Sequence, residues 1–209
     1  MQLIEALNWR YATKKFDPTK KVSHEDLEKI KEAMRLSASS YGLQPYKIFL
    51  VENQDVKEQL KPASWGQSQL TDASHAVIFA VEKKVTPELI DRFVALKSET
   101  QNIPSENLKG YGDFMKSKLV DLPEDKATGW TARQSYVALG NLLAACGELH
   151  IDACPMEGFE ADKIDAILGL EARGLTTAVI ATIGYRSEED ATANAPKVRY
   201  AKEDLFETV

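Results

Sequence analysis

Cysteine is scarce in this chain of 209 residues, and its two copies, Cys146 and Cys154, match neither a zinc site nor a Cys-x-x-Cys redox pair. Both sit in apolar stretches, so the expectation is buried free thiols in a reducing, cytoplasmic setting. Three histidines, His24, His75 and His150, are scattered, and no metal site is expected from them. No apolar run approaches the roughly 18 residues of a membrane span. The opening Met1-Gln2-Leu3-Ile4-Glu5 lacks the apolar segment of a secretory leader. A net charge of −6 offers no general basic field, which argues against nucleic acid as the main partner.

Several catalytic signatures are also missing. Gly110-Tyr111-Gly112 is the only G-x-G, but Met115 stands where a third glycine would be and no strand precedes it. There is no Walker A segment and no G-x-S-x-G elbow. A reactive centre would therefore have to come from elsewhere, and a bound organic cofactor is the leading idea.

What is present is an ordinary globular mixture, 44% hydrophobic and 28% charged, long enough for a sizeable core in one domain over 1–209. A short helix is expected over 1–11, with Leu3, Ala6 and Leu7 as its apolar stripe. A near capping box, Ser23-His24-Glu25-Asp26, predicts a helix through Leu36. Strands are expected at 46–51, 76–81, 151–155 and 175–184. Thr86-Pro87 opens a helix toward Asn102, and 105–125 reads as polar, helical in parts and interrupted by Gly110 and Gly112. A long, nearly all-apolar helix is expected over 129–150, carrying Tyr136, Leu139, Leu142, Leu143 and Cys146. Its Gly140, Ala144 and Gly147 would admit a close neighbour, and a subunit interface is one way to bury it. A helix follows at 160–168, and 194–209 has no core-forming period. Helices and strands mix without regular alternation, so the fold class is α+β, a sheet flanked by helices.

Four segments could hold a ligand. Arg10 and Lys14 stand four residues apart and could grip a phosphate and a second electron-rich atom; taken singly they read more simply as a solvated helix end. Lys197 and Arg199 share one face of an extended segment, which suits an anion, or else form a solvated tail. The loop Ser37 to Gln44 carries hydroxyls suited to a phosphate or ribityl chain, although by itself it is a helix-to-strand connection. Pro155-Met156-Glu157-Gly158-Phe159 ends a strand and begins a helix, where backbone N–H groups point outward and Gly158 permits close approach.

In their joint order these segments resemble the nitroreductase family. The resemblance rests on Trp9-Arg10-Tyr11-Ala12-Thr13-Lys14-Lys15-Phe16-Asp17, the serine-rich loop before Gln44-Pro45, Trp65-Gly66-Gln67-Ser68-Gln69, Pro155-Met156-Glu157-Gly158-Phe159 and Lys197-Val198-Arg199. It covers essentially the whole chain and is similar to the short, oxygen-insensitive NAD(P)H nitroreductases and dihydropteridine reductases. It implies a mostly antiparallel central sheet, with a C-terminal arm exchanged across a homodimer. It implies bound FMN, with NADH or NADPH as reductant and nitroaromatics, quinones, flavins or pteridines as acceptors, taken in turn at one pocket. Arg10, Lys197 and Arg199 would hold the phosphate; Ala12 and Lys14 would lie along the flavin, Lys14 where negative charge gathers on reduction. The backbone N–H near Glu157 would face flavin N5, with Pro155, Met156 and Gly158 beside it. Ser37, Ser39 and Ser40 would come from the partner. Tyr111 and Phe114 are candidates for gating the pocket, or for packing.

Two departures from the family's pattern stand out. Ala12 replaces a serine found in related members, and Gln67 and Gln69 stand where some have asparagine and lysine. Neutral amides can bond a flavin edge but cannot neutralise its charge. Other readings stay open, because fold does not dictate function: enone reduction or dehalogenation on the same fold, or a dimeric FMN-binding protein without turnover.

Overall fold

The structure, a computed structural model, describes residues 3–209. Four strands form one sheet in the order β1-β2-β4-β3: β1 (Tyr46–Val51), β2 (His75–Glu82), β3 (Asp152–Met156) and β4 (Leu175–Gly184). Every pairing between them is antiparallel. The interior strands β2 and β4 are apolar on both faces, as a sheet covered on both sides requires. The period of two sorts their side chains between the layers. Val77, Phe79, Val179 and Ala181 join one core with α2 (His24–Arg35) and α7 (Glu124–Glu148). Ala76, Ile78 and Ile180 join the opposite core with α3 (Gln54–Ala63) and α8 (Ala161–Leu168).

Local chemistry sets the helix ends. Ser23 accepts a hydrogen bond from the Asp26 N–H at 3.1 Å, opening α2, which buries Ile30 and Met34. Thr86 caps α5 (Pro87–Gln101) in the same way through Leu89 N–H. Asn102, with φ +52°, closes α5 in the left-handed conformation that asparagine tolerates.

The α+β fold with an antiparallel sheet is as expected, and several local expectations need correction. The first helix, α1, spans Leu3–Trp9; Met1 and Gln2 lie outside the described residues. Of its apolar stripe only Ala6 is buried, while Leu3 and Leu7 are exposed. Gly110 and Gly112 do not interrupt anything: α6 (Ser105–Leu119) is continuous, because Met115 and Leu119 anchor it in a core shared with Ile90, and Gly112 packs against Val94. The long helix starts five residues earlier than read, at Glu124, with Gly129 inside it. Its outer face leaves the apolar Tyr136 and Val137 exposed in the single chain. The small residue Gly147 does admit a close neighbour, but that neighbour is α1 of the same chain. A Cβ there would lie 2.9 Å from the Ala6 carbonyl oxygen. Helix α3 and the short α4 (Gln69–Asp72) had no sequence expectation at all.

Candidate functional site

Beyond α1 the chain leaves the helix and runs along the edge of β3. Ala12 bridges Ala153 in parallel, Thr13 N–H donates to the Ala153 carbonyl, and Phe16 bridges Arg186. Two carboxylates pin this segment. Buried Asp152 accepts from the backbone and the guanidinium Nε of Arg186, each at 2.8 Å. That guanidinium lies over the rings of Trp9 and Tyr11, 4.4 and 4.6 Å from their centroids. Asp190 accepts from Tyr11 OH and Lys14 N–H, both at 2.9 Å, from Lys15 N–H, and from Thr192. Burial alone would raise its pKa, but these hydrogen bonds outweigh it and hold the carboxyl well below the ordinary range. The Tyr11 phenol is pushed up to about 12 by burial and by its bond to Asp190.

The pinned segment forms one wall of a cavity of about 500 Å³ lined by Trp9, Arg10, Ala12, Pro155, Lys197 and Arg199, among others. Three cations therefore face one space, two of them from the far end of the chain. Among the described residues no carboxylate lines it. Arg10 Nε is buried without a hydrogen-bond partner. Burial, and then the Arg199 charge, lower the Arg10 pKa. Burial, Arg10 and Arg199 do the same to Lys197. An unpartnered buried donor between like charges is costly, and an anion removes both costs at once. Lys197 Nζ meanwhile donates to the Leu7 and Arg10 carbonyls at the end of α1, where a helix favours a cation.

Beside this cavity, β3 turns into α8 through 157–160. The turn is tied to three neighbours. Gln67 Nε2 donates to the Gly158 carbonyl at 2.8 Å, Glu160 N–H donates to the Ala63 carbonyl at 2.8 Å, and Tyr136 OH donates to Glu157 Oε1 at 2.5 Å. Gly158 is required here: a Cβ would lie 2.9 Å from both the Trp65 ring and Gln67 Nε2. Trp65 itself holds a left-handed φ of +56° and is 70% exposed.

The structure thus brings Arg10, Ala12, Pro155, Lys197 and Arg199 to one cavity, and sets Glu157 and Gly158 in the adjoining turn with Met156 buried at the end of β3. The other expected positions lie outside that cavity in the single chain. Lys14 is exposed, its backbone spent on Asp190, although it and Arg10 act electrostatically on the buried Cys154 thiol, whose pKa burial raises. Gln67 has its amide occupied by the Ser64 and Gly158 carbonyls, so it braces the turn. Gln69 is buried at the start of α4. Ser37, Ser39 and Ser40 do not line the cavity within one chain. Ser37 bonds Asn141, Ser39 accepts from Gln44 N–H, and Ser40 N–H donates to Gln134. Tyr111 OH donates to the Tyr41 carbonyl within the α5–α6 core, which is a packing role in the single chain; Phe114 is exposed. Sequence reasoning missed Asp152, Asp190, Arg186 and Tyr136. Only the spacing Asp190-x-Thr192, a side-chain-capped turn, carried any local signal.

Comparison with known proteins agrees with this architecture. The nitroreductase family model matches residues 7–185. A Staphylococcus haemolyticus protein provisionally named an NAD(P)H nitroreductase is 39% identical, over 99% of this chain and 97% of its own length. One from Bacillus subtilis with the same provisional name is 38% identical, over 100% and 97%. Among solved structures, a provisionally named NAD(P)H:FMN oxidoreductase from Staphylococcus epidermidis superposes with TM-score 0.89 at 22% identity, over 100% of this chain and 96% of that one. A provisionally named nitroreductase from Exiguobacterium sibiricum, solved with FMN, superposes with TM-score 0.84 at 19% identity, over 100% and 98%. The two structural likenesses speak to the fold alone. The sequence matches, spanning almost the entire chain, carry the assignment: this protein belongs to the nitroreductase family.

Proposed function

We propose that the protein is an FMN-dependent oxidoreductase that uses NADH or NADPH to reduce small acceptors such as nitroaromatics, quinones, flavins or pteridines. The observation that carries this reading is the buried, unpartnered Arg10 Nε in a cavity walled by three cations and no carboxylate. A phosphate monoester satisfies that donor and screens the repulsion among Arg10, Lys197 and Arg199. When bound, FMN would supply the two-electron chemistry, taking hydride at N5 and passing it on.

The chain's own part is to bind, orient and polarise. Arg10, Lys197 and Arg199 hold the phosphate. Ala12, Pro155, Met156 and Gly158 line the isoalloxazine. The backbone N–H at Glu157 donates to N5. Lys14 supplies positive charge where the reduced ring carries negative charge, with Gln67 and Gln69 on the same side as neutral neighbours. Reductant and acceptor use one pocket in turn, with no side chain needed as obligatory acid or base.

A homodimer completes the site in this reading, with Ser37, Ser39 and Ser40 contributed by the partner and the segment 194–209 reaching across it. Support comes from the apolar side chains that the single chain leaves in water: Val198, Tyr200, Leu205 and Phe206. Burying each is worth roughly 1.5–3 kcal/mol, a strong incentive for a partner surface. The test is the absorbance spectrum of the purified protein, before and after NAD(P)H under anaerobic conditions. A flavin spectrum that bleaches is expected. A protein that takes up no FMN would refute the reading, and one that holds FMN without bleaching would be a binding protein instead.

A further inference from the structure

The turn that carries Glu157 is held from two sides, and only one hold is explained by packing. On the α3 side, Trp65 and Gln67 press on Gly158, and the Ala63 carbonyl takes Glu160 N–H. On the other side the link is a single hydrogen bond, Tyr136 OH to Glu157 Oε1 at 2.5 Å. Tyr136 sits on α7 between Ser135 and Leu139, both buried, and that helix is anchored to β2 by Thr131 Oγ1 donating to the Glu82 carbonyl at 2.8 Å. The phenol therefore extends from a rigid platform. Yet the residue is 39% exposed, so it adds little to the core on which α7 rests. Its contribution lies at the hydroxyl, which meets a carboxylate in the geometry of a short, charge-assisted bond.

We propose that Tyr136 is a positioning residue for the reaction. By fixing the Glu157 carboxylate from the α7 side, it sets the orientation of residue 157 and hence of its backbone N–H, the donor assigned above to the reacting position. This rests on the reading of the site given above. Within the turn, Phe159 N–H donates to the Glu157 carbonyl at 3.1 Å, so residue 157 opens a tight loop whose rotation is opposed from the α7 side by Tyr136. Loss of the phenol oxygen leaves residue 157 tethered on the Gly158 side alone. Burial and the neighbouring carboxylate push the phenol up to about 12, so the hydroxyl keeps its proton, and its role as donor, throughout the neutral range.

The test uses the full chain with Tyr136→Phe, which keeps the ring and removes the hydroxyl, beside Glu157→Gln, which keeps an acceptor oxygen. In the cofactor-free protein, amide hydrogen exchange at 157–159 should quicken about tenfold in Tyr136→Phe, the loss of one charge-assisted bond, and stay slow in Glu157→Gln. After loading with FMN, Tyr136→Phe should bind it within about threefold of the parent. Stopped-flow reduction by NAD(P)H should nonetheless fall about tenfold, as displacement of one oriented donor predicts. Unchanged exchange and an unchanged reduction rate in a variant that still binds FMN would overturn the proposal. Lost exchange protection with an unchanged reduction rate would also overturn it, leaving Tyr136 as a structural tie. If the parent protein bound no FMN, the reading of the site would fall, and the exchange experiment would still show separately whether Tyr136 holds the turn.

Discussion

Arg186 donates to Asp152 twice over, from its backbone N–H and from its guanidinium, and so locks the chain two residues beyond β4 to the first residue of β3. The same guanidinium is sandwiched by Trp9 and Tyr11, which ties the N-terminal segment to both strands. This cross-link, together with Asp190, holds the segment that forms one wall of the cationic cavity.

Removing that link should therefore cost stability and site together. Arg186→Ala leaves the buried Asp152 carboxylate short of donors, and should destabilise by about 2–3 kcal/mol. Urea unfolding of the cofactor-free protein checks this, and a midpoint equal to that of the parent would contradict it.

Asp190 makes a pH prediction. Its folded-state pKa lies below the ordinary 3.8, so it contributes stability above about pH 4 and loses that contribution as pH falls toward the folded value. Asp190→Asn should be less stable than the parent at pH 7, and the gap should narrow steadily below pH 4. A gap independent of pH from 7 to 2.5, followed by urea midpoints, would show that the carboxylate's charge is irrelevant.

At the phosphate end, Arg199→Ala should weaken FMN binding by about 1.5–3 kcal/mol, the scale of a charge-assisted hydrogen bond. Fluorescence titration of the cofactor-free protein measures it. Wild-type affinity in the variant would make the C-terminal basic pair a solvated tail.

Steady-state kinetics test whether reductant and acceptor share a pocket. Initial rates against NAD(P)H at several acceptor concentrations should give parallel double-reciprocal lines. Intersecting lines would require both to be bound at once.

Dimerisation and flavin binding should be inseparable. Unfolding should shift with protein concentration, and truncation after Ala195 should release flavin and dissociate the dimer together. That cut keeps Arg186, Asp190 and Thr192, whereas a cut at Gly184 would also destroy the hydrogen bonds that hold Arg10 in place. Analytical ultracentrifugation reads the outcome; a folded, FMN-bound monomer at high dilution would contradict the shared site.

Much of this was legible in the sequence, for local reasons. The caps at Ser23 and Thr86 and the apolar runs of β2 and β4 act through their immediate neighbours or through a fixed period, and the structure uses them as expected. Helix α3 escaped notice because Gln54-Asp55-Val56-Lys57-Glu58 reads as polar and Pro62 falls near its end; Asn53 caps its start, and packing of Leu60 and Ala63 under the sheet holds it in place. Glycine punctuation misled at α6 for the matching reason. Its helix propensity is outweighed by Met115 and Leu119 in a shared core.

The basic pairs Arg10/Lys14 and Lys197/Arg199 were visible as charges, and each alone reads as solvated. What the sequence determined by itself was the family, the class of fold and the stock of cations, since these follow from residue order and pattern. Tertiary structure alone decided which cations meet. Arg10 and Lys197 are 187 positions apart and share one cavity, while Lys14, four residues from Arg10, is exposed and does not line it. Proximity of that kind depends on how β3, β4 and the terminal segments close on one another, through bonds such as Asp152 to Arg186 and Tyr136 to Glu157. No local period encodes those bonds.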